Sequence, residues 1–340
     1  MAEAIPDTNR GLSARDAGRN LLEIMVDSHT IAFLFPGQGS QAVGMGKELA
    51  EHHPIARRTF EESDEALGYK LSQFCFEGPE EKLRMTEITQ PAILTVSIAA
   101  WRVLSAHGVK PEFVAGHSLG EYSAHVAAGT ISFADAVRTV RQRGQYMQEA
   151  VPVGVGAMAA ILGMDLDLVT AACNDAAEGE ICEPANINSP EQIVISGHAG
   201  AVERATKLAD ERGAKRAKVL PVSAPFHCSL MKPAQERLAA DLQALNFQKP
   251  ALDVACNVDA ALVNTAERSR DALIRQVTGS VKWYQSMHLL LAEGVQVFVE
   301  LGPGKVLCGL MRQIDRSKHC FNVADEASLH KTLEHCAVKA

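Results

Sequence analysis

The strongest constraint in this 340-residue chain is a serine between two glycines, placed directly after a strand pattern. Phe113-Val-Ala115 is apolar, Gly116-His-Ser-Leu-Gly120 follows at once, and residues 122–128 form an apolar, Ala-rich helical pattern. In such a strand–turn–helix the glycines let the backbone turn sharply, and the serine hydroxyl is exposed at the tip. We therefore predict that Ser118 is a nucleophile and that the following backbone N–H groups face any oxyanion formed there.

The elements around this turn predict a mostly parallel α/β sheet. Ile31-Ala-Phe-Leu-Phe35 is a short apolar run stopped by Pro36 and Gly37, which is typical of a buried strand. Thr89 to His107 has a helical pattern, and we place Pro91 in its first turn. Buried strands that alternate with helices favour the layered arrangement of the hydrolase-like α/β folds.

Residues 156–222 follow a different order of elements. Strand, helix, two strands, helix and strand succeed one another there, which is the β-α-β-β-α-β order of a ferredoxin-like unit. We predict that this small subdomain is inserted into a large α/β subdomain formed by residues 30–155 and 223–320. Residues 321–340 are expected to form a separate C-terminal segment.

Residues 1–29 lack the apolar core of a secretory signal, and acidic residues such as Glu3, Asp7, Asp16 and Glu23 make them too acidic for a typical mitochondrial transit peptide. We interpret them as a disordered extension. Met25 lies just before the first strand pattern, and one hypothesis is that translation starts there.

The composition excludes several classes of protein. An apolar fraction of 47% can fill a large core, and the net charge of −8 comes from mixed acidic and basic residues, which disfavours nucleic-acid binding. No apolar run approaches the roughly 18 residues of a membrane helix. The eight cysteines are scattered and form no metal-ligand spacing, so we expect no metal, no disulfide framework, and reduced thiols in a cytoplasmic protein.

A serine hydroxyl needs a base, and His227 is the candidate. It lies in Ala224-Pro-Phe-His227, a Pro-bearing turn at the junction of the subdomains, where functional residues concentrate. Residue type alone still allows an ordinary core or surface histidine. His117 adjoins Ser118, but neighbours on a tight turn point in different directions, so we expect it to be a support. No carboxylate stands out as a third member, which favours a Ser/His dyad over an ordinary hydrolase triad.

Arg143 lies in a helical pattern over residues 134–150 together with Arg138 and Arg141. An arginine aimed into an acyl pocket can hold a substrate carboxylate by a bidentate pair, and it would select malonyl over acetyl. The alternative is that all three arginines lie on an exposed face. Spacing alone does not separate the two.

Two glycine-rich segments suggest other sites. Gly37-Gln-Gly-Ser-Gln-Ala42 fits the dinucleotide pattern G-x-G-x-x-A, although its glutamines would crowd a pyrophosphate, and it serves better as an oxyanion donor beside Ser118. Gly302-Pro-Gly-Lys305 lacks the other residues of a P-loop. We interpret it as a tight turn after a strand.

Together these segments resemble the malonyl-CoA:acyl carrier protein transacylases of type II fatty acid synthesis. The resemblance runs from about Ile31 to about Leu310. The motifs that carry it are Phe35-Pro-Gly-Gln-Gly-Ser-Gln41, Thr89-Gln-Pro91, Gly116-His-Ser-Leu-Gly-Glu-Tyr-Ser123, Arg143-Gly144, Asn186-Ile-Asn-Ser-Pro190, Pro225-Phe-His227 and Val299-Glu-Leu-Gly-Pro-Gly-Lys-Val306.

The resemblance implies the roles of the reacting groups. Ser118 corresponds to the nucleophile and His227 to the base. The backbone N–H groups of Gln38 and Leu119 would form the oxyanion hole. Gln276 occupies the place of the residue that holds the histidine ring.

The same resemblance implies how the acyl group is chosen. Arg143 matches the arginine that pairs with the malonyl carboxylate, and Asn186 matches a position near the pocket. Phe226 and Leu119 look like the malonyl form of the family, because they fill space that an α-methyl group would need.

The implied activity is transfer of malonyl from malonyl-CoA to the phosphopantetheine thiol of an acyl carrier protein, by way of a malonyl-serine. Coenzyme A thioester is then the substrate, and no cofactor is expected. Because carrier proteins are usually acidic, their docking surface should be a local cluster of Lys and Arg. A two-partner enzyme of this kind is expected to be a monomer. The alternatives are an acyltransferase that serves a polyketide synthase, a serine thioesterase or esterase, and a catalytically silent docking module.

Overall fold

A computed structural model of the chain describes residues 30–222 and 224–336. The predicted extension over residues 1–29, the proposed start at Met25, and residues 337–340 of the predicted C-terminal segment lie outside the described residues. None of the described helices is long and apolar enough to cross a membrane.

The larger sheet in this part of the chain has six strands, and all but the last run parallel. This confirms the prediction of a mostly parallel sheet. In order across the sheet the strands are β10 (His319–Val323), β9 (Val297–Leu301), β1 (Ile31–Phe35), β2 (Phe113–Gly116), β7 (Asp253–Cys256) and β8 (Ala261–Val263).

Fourteen α-helices in the described residues connect or follow the strands of this sheet and of the smaller sheet described below. They are α1 (Lys47–His52), α2 (Pro54–Leu67), α3 (Leu71–Glu77), α4 (Glu80–Leu83), α5 (Thr86–Ala106), α6 (Gly120–Ala127), α7 (Phe133–Glu149), α8 (Leu166–Ala177), α9 (Ala199–Glu211), α10 (Lys232–Ala244), α11 (Ala266–Arg275), α12 (Trp283–Ala292), α13 (Val306–Ile314) and α14 (Glu326–Cys336).

Strand β1 is apolar at every position because both of its faces are buried. Phe33 and Phe35 pack into one hydrophobic cluster, whereas Ala32 and Leu34 pack into another on the opposite face. All five residues of the strand are buried. A parallel strand covered by helices on both faces requires such a continuous apolar run.

The smaller sheet confirms the predicted ferredoxin-like unit. Its strands are β3 (Gly156–Leu162), β4 (Cys182–Ser189), β5 (Gln192–His198) and β6 (Arg216–Val219), in the order β4-β5-β3-β6. All neighbouring pairs are antiparallel. Helices α8 and α9 pack on the sheet through a shared apolar cluster that includes Ile161, Val169, Ile195 and Val202.

Two predicted boundaries are wrong. Helix α5 begins at Thr86, so Pro91 lies in its second turn rather than its first. Strand β10 pairs along its whole length with β9. The larger sheet therefore extends to Val323, beyond the boundary that separated residues 321–340 as a C-terminal segment.

The expectation that every cysteine is reduced is also wrong. Cys308 on α13 and Cys320 on β10 form a disulfide, with their Cα atoms 5.3 Å apart. They are 12 residues apart in sequence. Packing of α13 against β10 brings them together, and that long-range contact leaves no mark in the cysteine spacing. Cys75, Cys173, Cys182, Cys228 and Cys256 are free and buried, and Cys336 is free and partly buried.

Candidate active site

The turn between β2 and α6 holds Ser118 at the carboxyl end of the larger sheet. Ser118 has a φ of 53°, which is the left-handed region that side chains rarely adopt. Both flanking glycines are required by close contacts. A Cβ on Gly116 would lie 1.9 Å from the carbonyl group of Gly120, and a Cβ on Gly120 would lie 2.0 Å from the oxygen of Phe35. The predicted strand–turn–helix is therefore present.

The loop that follows β1 lies against this turn. Phe35 and Gly116 are partners in the sheet register, and the His117 N–H donates to the Phe35 carbonyl over 3.0 Å. Gln38, in this loop, lines the same cavity as Ser118. Within the described residues, the backbone N–H groups of Gln38 and Leu119 donate to no protein acceptor.

The dinucleotide interpretation of this loop is wrong. That motif needs its glycines to open directly into a helix, so that the helix amino terminus faces a pyrophosphate. Residues 37–46 instead form turns, and α1 begins only at Lys47. The second glycine-rich segment, residues 302–305, is the predicted bend, and it connects β9 to α13.

His227 meets Ser118 directly. Its Nε2 lies 2.6 Å from the serine Oγ. On the other side of the ring, Nδ1 lies 2.9 Å from the carbonyl oxygen of Gln276 and 3.2 Å from that of Gly279. Because both partners of Nδ1 are acceptors, the ring proton belongs on Nδ1. Nε2 is then free to accept the serine proton.

The surroundings of His227 keep its imidazole neutral. Burial, together with the positive charge of Arg143, lowers the pKa of His227 to about 3. Among the described residues, no carboxylate contacts the ring. Backbone carbonyls therefore orient this histidine, in agreement with the predicted absence of an acidic triad member.

Arg143 lies on the opposite side of the serine. Its Nη2 lies 3.3 Å from Ser118 Oγ and donates to Gln276 Oε1 over 3.0 Å, and Nη1 donates to Gln90 Oε1 over 2.8 Å. Arg143 is only 2% exposed, and burial lowers its pKa. Two neutral amides hold the guanidinium without an ion pair, so its charge is available to a ligand.

The exposed-face alternative is wrong for Arg143 and right for Arg138. The side chain of Arg138 is 51% exposed and pairs with Asp135 at 2.7 Å. Arg141 is partly buried, with its guanidinium 5.6 Å from the centre of the Tyr69 ring. The three arginines lie at different positions around α7, and only the position of Arg143 directs its side chain into the cavity.

The cavity itself has a volume of about 530 Å³. Phe226 and Asn186, which are 9% and 8% exposed, line it together with Met147 and Met158. His117 contributes to the wall, but its Nε2 lies 2.8 Å from Asn188 Oδ1 rather than near the nucleophile. The cavity therefore combines an apolar wall with the Ser118 hydroxyl and one buried cation.

Gln276 contacts the site in a way that the sequence did not specify. Its backbone carbonyl, not its side chain, meets the His227 ring. The side chain Nε2 donates to the Ser118 carbonyl over 2.9 Å and to Glu121 Oε2 over 2.8 Å. One residue thereby touches the histidine, the serine backbone and the buried arginine.

Sequence reasoning missed three residues of the site: Gln90, Glu121 and Asn257. Gln90 and Glu121 stand inside motifs that carried the resemblance, but no pattern pointed to a role for either. Asn257 follows the last residue of β7. Its one available signal was its position, a polar residue at the carboxyl end of a buried strand. Among the described residues, no group of His, Cys, Asp and Glu side chains could hold a metal ion.

Comparison with known proteins places this geometry in a family. The family model of the acyl transferase domain matches residues 32–333. A malonyl CoA-acyl carrier protein transacylase from Salmonella typhimurium is 52% identical over 284 residues, which cover 83% of this chain and 92% of that protein. The chain belongs to the malonyl CoA-acyl carrier protein transacylases, an acyl transferase family.

Solved structures of other transacylases share the fold. The malonyl CoA-acyl carrier protein transacylase of Coxiella burnetii is 44% identical, with a TM-score of 0.90 over 92% of this chain and 99% of that one. A malonyl-transacylase solved in complex with its type II PKS acyl-carrier protein is 47% identical, with a TM-score of 0.88 over 90% of this chain and 99% of that one. The chain is an acyltransferase.

Proposed function

We propose that this transacylase moves malonyl from malonyl-CoA to the phosphopantetheine thiol of an acyl carrier protein through a malonyl-Ser118 intermediate. One observation carries the proposal. A single oxygen, Ser118 Oγ, lies 2.6 Å from an unprotonated ring nitrogen of His227 and 3.3 Å from the Arg143 guanidinium. A nucleophile, its base and a cation for the acyl carboxylate therefore converge on one atom.

The first half-reaction follows from these distances. His227 Nε2 takes the hydroxyl proton as Ser118 Oγ attacks the thioester carbonyl, and the imidazolium is held by the carbonyls at Nδ1. We assign the oxyanion to the backbone N–H groups of Gln38 and Leu119. When the tetrahedral intermediate collapses, the C–S bond breaks, the coenzyme A sulfur takes the proton from His227, and malonyl remains on Ser118.

We assign recognition of the acyl group to the other wall of the cavity. The Arg143 guanidinium pairs with the malonyl carboxylate, because it is buried and the two amides that hold it are neutral. Phe226 limits the space beside the acyl α-carbon, which excludes a methyl branch, and Asn186 lines the pocket as a hydrogen-bonding group.

In the second half-reaction the carrier thiol replaces coenzyme A. His227 accepts the thiol proton as the sulfur attacks malonyl-Ser118, and then returns it to Ser118 Oγ as the ester bond breaks. These steps use the chain's own side chains and backbone N–H groups together with the two thiols. We propose that the malonylated carrier protein serves fatty acid synthesis. A polyketide carrier is the second candidate, because a similar malonyl-transacylase has been solved with one.

A basic groove next to the active-site loop suits an acidic carrier. Lys305, Arg312 and Lys331, which we call the basic groove, are exposed and line a cavity of about 200 Å³ between α13, β10 and α14. They form no ion pair with any described residue. At one end of the groove, Gly304 packs near Ser40 of the loop that lines the catalytic cavity. The basic groove therefore adjoins this loop through Gly304, and its positive charge would steer a negatively charged partner toward this side of the protein.

The test uses labelled malonyl-CoA and two purified acyl carrier proteins, one from fatty acid and one from polyketide synthesis. We expect label on the fatty-acid carrier, faster than on the polyketide carrier, and none with Ser118→Ala or His227→Ala. Release of the label as free malonate without a carrier would instead show a thioesterase.

Docking at the basic groove has its own measurement. Arg312→Glu with Lys331→Glu should raise the KM for the carrier by about 10-fold and leave acylation of Ser118 by malonyl-CoA unchanged. Lys207→Glu, an exposed charge change on α9, is the control. An unchanged KM for the carrier would remove the groove from the proposal but leave acyl transfer intact.

A further inference from the structure

Asn257, the residue after β7, forms side-chain hydrogen bonds with the backbone of the turn that carries Ser118. It is fully buried, at 0% exposure. Its Oδ1 accepts the Ser118 N–H over 2.7 Å, and its Nδ2 donates to the Gly116 carbonyl over 2.7 Å. One amide side chain therefore holds two successive peptide groups of the turn, those on either side of His117.

The next peptide group is held as well. Gln276 Nε2 donates to the carbonyl of Ser118 over 2.9 Å. The three consecutive peptide groups around the strained Ser118 thus bind to two buried amide side chains, Asn257 and Gln276. Such a backbone conformation persists only where the surroundings determine it.

The backbone of Asn257 is itself fixed. Its N–H donates to Glu121 Oε2 over 3.0 Å, and its carbonyl accepts the Lys282 N–H over 3.0 Å. Glu121 Oε2 also accepts from Gln276 Nε2. Glu121 Oε2 therefore accepts from both the backbone N–H of Asn257 and the side chain of Gln276, and neither residue can move without breaking a buried hydrogen bond.

The chemistry of the side chain matters. Asn257 offers one acceptor and one donor in the same plane, which matches an N–H and a C=O two residues apart. An ionised aspartate offers acceptors only, and its second oxygen would face the Gly116 carbonyl. The hydrogen bond to Oδ1 also uses the Ser118 N–H, so that amide is not available to an oxyanion.

We infer that Asn257 is a positioning residue of the transfer reaction: it directs Ser118 Oγ at His227 and leaves the oxyanion to the amides of Gln38 and Leu119. The inference rests on the proposed role of Ser118 as nucleophile. Asn257 would then affect the position of the nucleophile but not the recognition of the malonyl carboxylate, since Arg143 does not contact Asn257.

The test compares two variants, Asn257→Asp and Asn257→Leu, with wild type in a single-turnover measurement of Ser118 acylation by malonyl-CoA. Misplacement of a reacting atom by about an ångström costs on the order of 100-fold in rate, and we expect that loss in the limiting rate constant of acylation, with the half-saturating malonyl-CoA concentration changed by less than about threefold. Thr95→Val is the matched control. Thr95 is fully buried and hydrogen-bonded on α5, away from the turn.

The pH dependence of Asn257→Asp distinguishes positioning from a loss of stability. A protonated carboxyl again offers one acceptor and one donor, so the ratio of variant to wild-type rate should rise as the pH falls. The charged groups around this position are Glu121 on α6, Arg143 on α7, Asp259 after β7 and Lys282 before α12. Dividing the acylation rate of Asn257→Asp by the wild-type rate at each pH removes the effects of these groups that are common to both proteins.

The outcomes separate this inference from the proposed function. If wild type forms no malonyl-Ser118, the proposed function fails. If wild type is acylated, the inference is overturned when both variants lose no more rate than Thr95→Val at equal thermal stability, or when the Asn257→Asp ratio stays flat from pH 8 to pH 5. Should Asn257→Leu not fold, the pH ratio of Asn257→Asp decides alone.

Discussion

Replacing Arg143 by alanine should turn a malonyl-selective enzyme into one with little preference between malonyl-CoA and acetyl-CoA. The guanidinium is 2% exposed, and its closest contacts are two amide oxygens and Ser118 Oγ. None of the ion pairs of the described residues involves Arg143, so no carboxylate there contacts its guanidinium directly. A malonyl carboxylate beside Ser118 therefore meets a desolvated cation.

The size of the effect follows from that burial. A hydrogen bond to a charged group contributes about 1.5–3 kcal/mol, and removal of one partner from a buried charge pair costs about 3–5 kcal/mol. Taking about 3 kcal/mol as the lower end for a clamp by Arg143, kcat/KM for malonyl-CoA should fall on the order of 100-fold. Acetyl-CoA, which has no carboxylate, should lose far less.

The assay is competition at equal concentrations of the two thioesters, with the adduct on Ser118 read by mass spectrometry. Arg138→Ala on the same helix is the control, because its side chain is 51% exposed and pairs only at the surface. The reasoning is refuted if Arg143→Ala still takes malonyl over acetyl with the wild-type ratio. Equal losses for both substrates would show that Arg143 positions Ser118 rather than the acyl group.

Three further results are expected. Because burial lowers the pKa of His227 to about 3, the base stays neutral at pH 5, so acylation of Ser118 should retain most of its pH 8 rate; a fall of about 30-fold, as for a free imidazole, would contradict this. Burial also lowers the pKa of His125 to about 3, and neither ring nitrogen has a hydrogen-bond partner among the described residues. The unfolded chain then binds the proton first as the pH drops below 6.5, so wild-type stability is lost in that direction. We therefore compare the free energy of unfolding in urea of His125→Leu and of wild type. The variant minus wild-type difference should be about 2 kcal/mol more favourable to the variant at pH 5 than at pH 8, and an equal difference at both pH values would refute the assignment. Gly116→Ala should lower the melting temperature and abolish acylation, since its Cβ would lie 1.9 Å from a carbonyl, whereas Gly309→Ala has open space and should be tolerated; equal behaviour of the two would count against the contact.

Sequence patterns were sufficient to predict the elements that are formed by residues adjacent in the chain. The turn at Ser118 needs two glycines and a preceding strand, and all of these are adjacent in the chain. The β-α-β-β-α-β order of residues 156–222 likewise follows from successive short elements. These predictions are confirmed because neighbours in sequence are neighbours in the structure.

The parts that failed depend on contacts between distant residues. Strand β10 is a strand because it pairs with β9, and Cys308 meets Cys320 only when α13 packs on β10. Asn257 reaches Ser118 across 139 residues of chain. Its role cannot be read from spacing, because it exists only once β2 and β7 pair in the sheet.

The most direct test of covalent transfer is the mass of the intact protein after mixing with malonyl-CoA, followed by addition of a carrier. We predict a malonyl adduct on Ser118 of the wild type, its disappearance as the carrier becomes malonylated, and no adduct on Ser118→Ala. Transfer of malonyl to the carrier by Ser118→Ala, or an adduct on any other residue that turns over at the wild-type rate, would contradict the account.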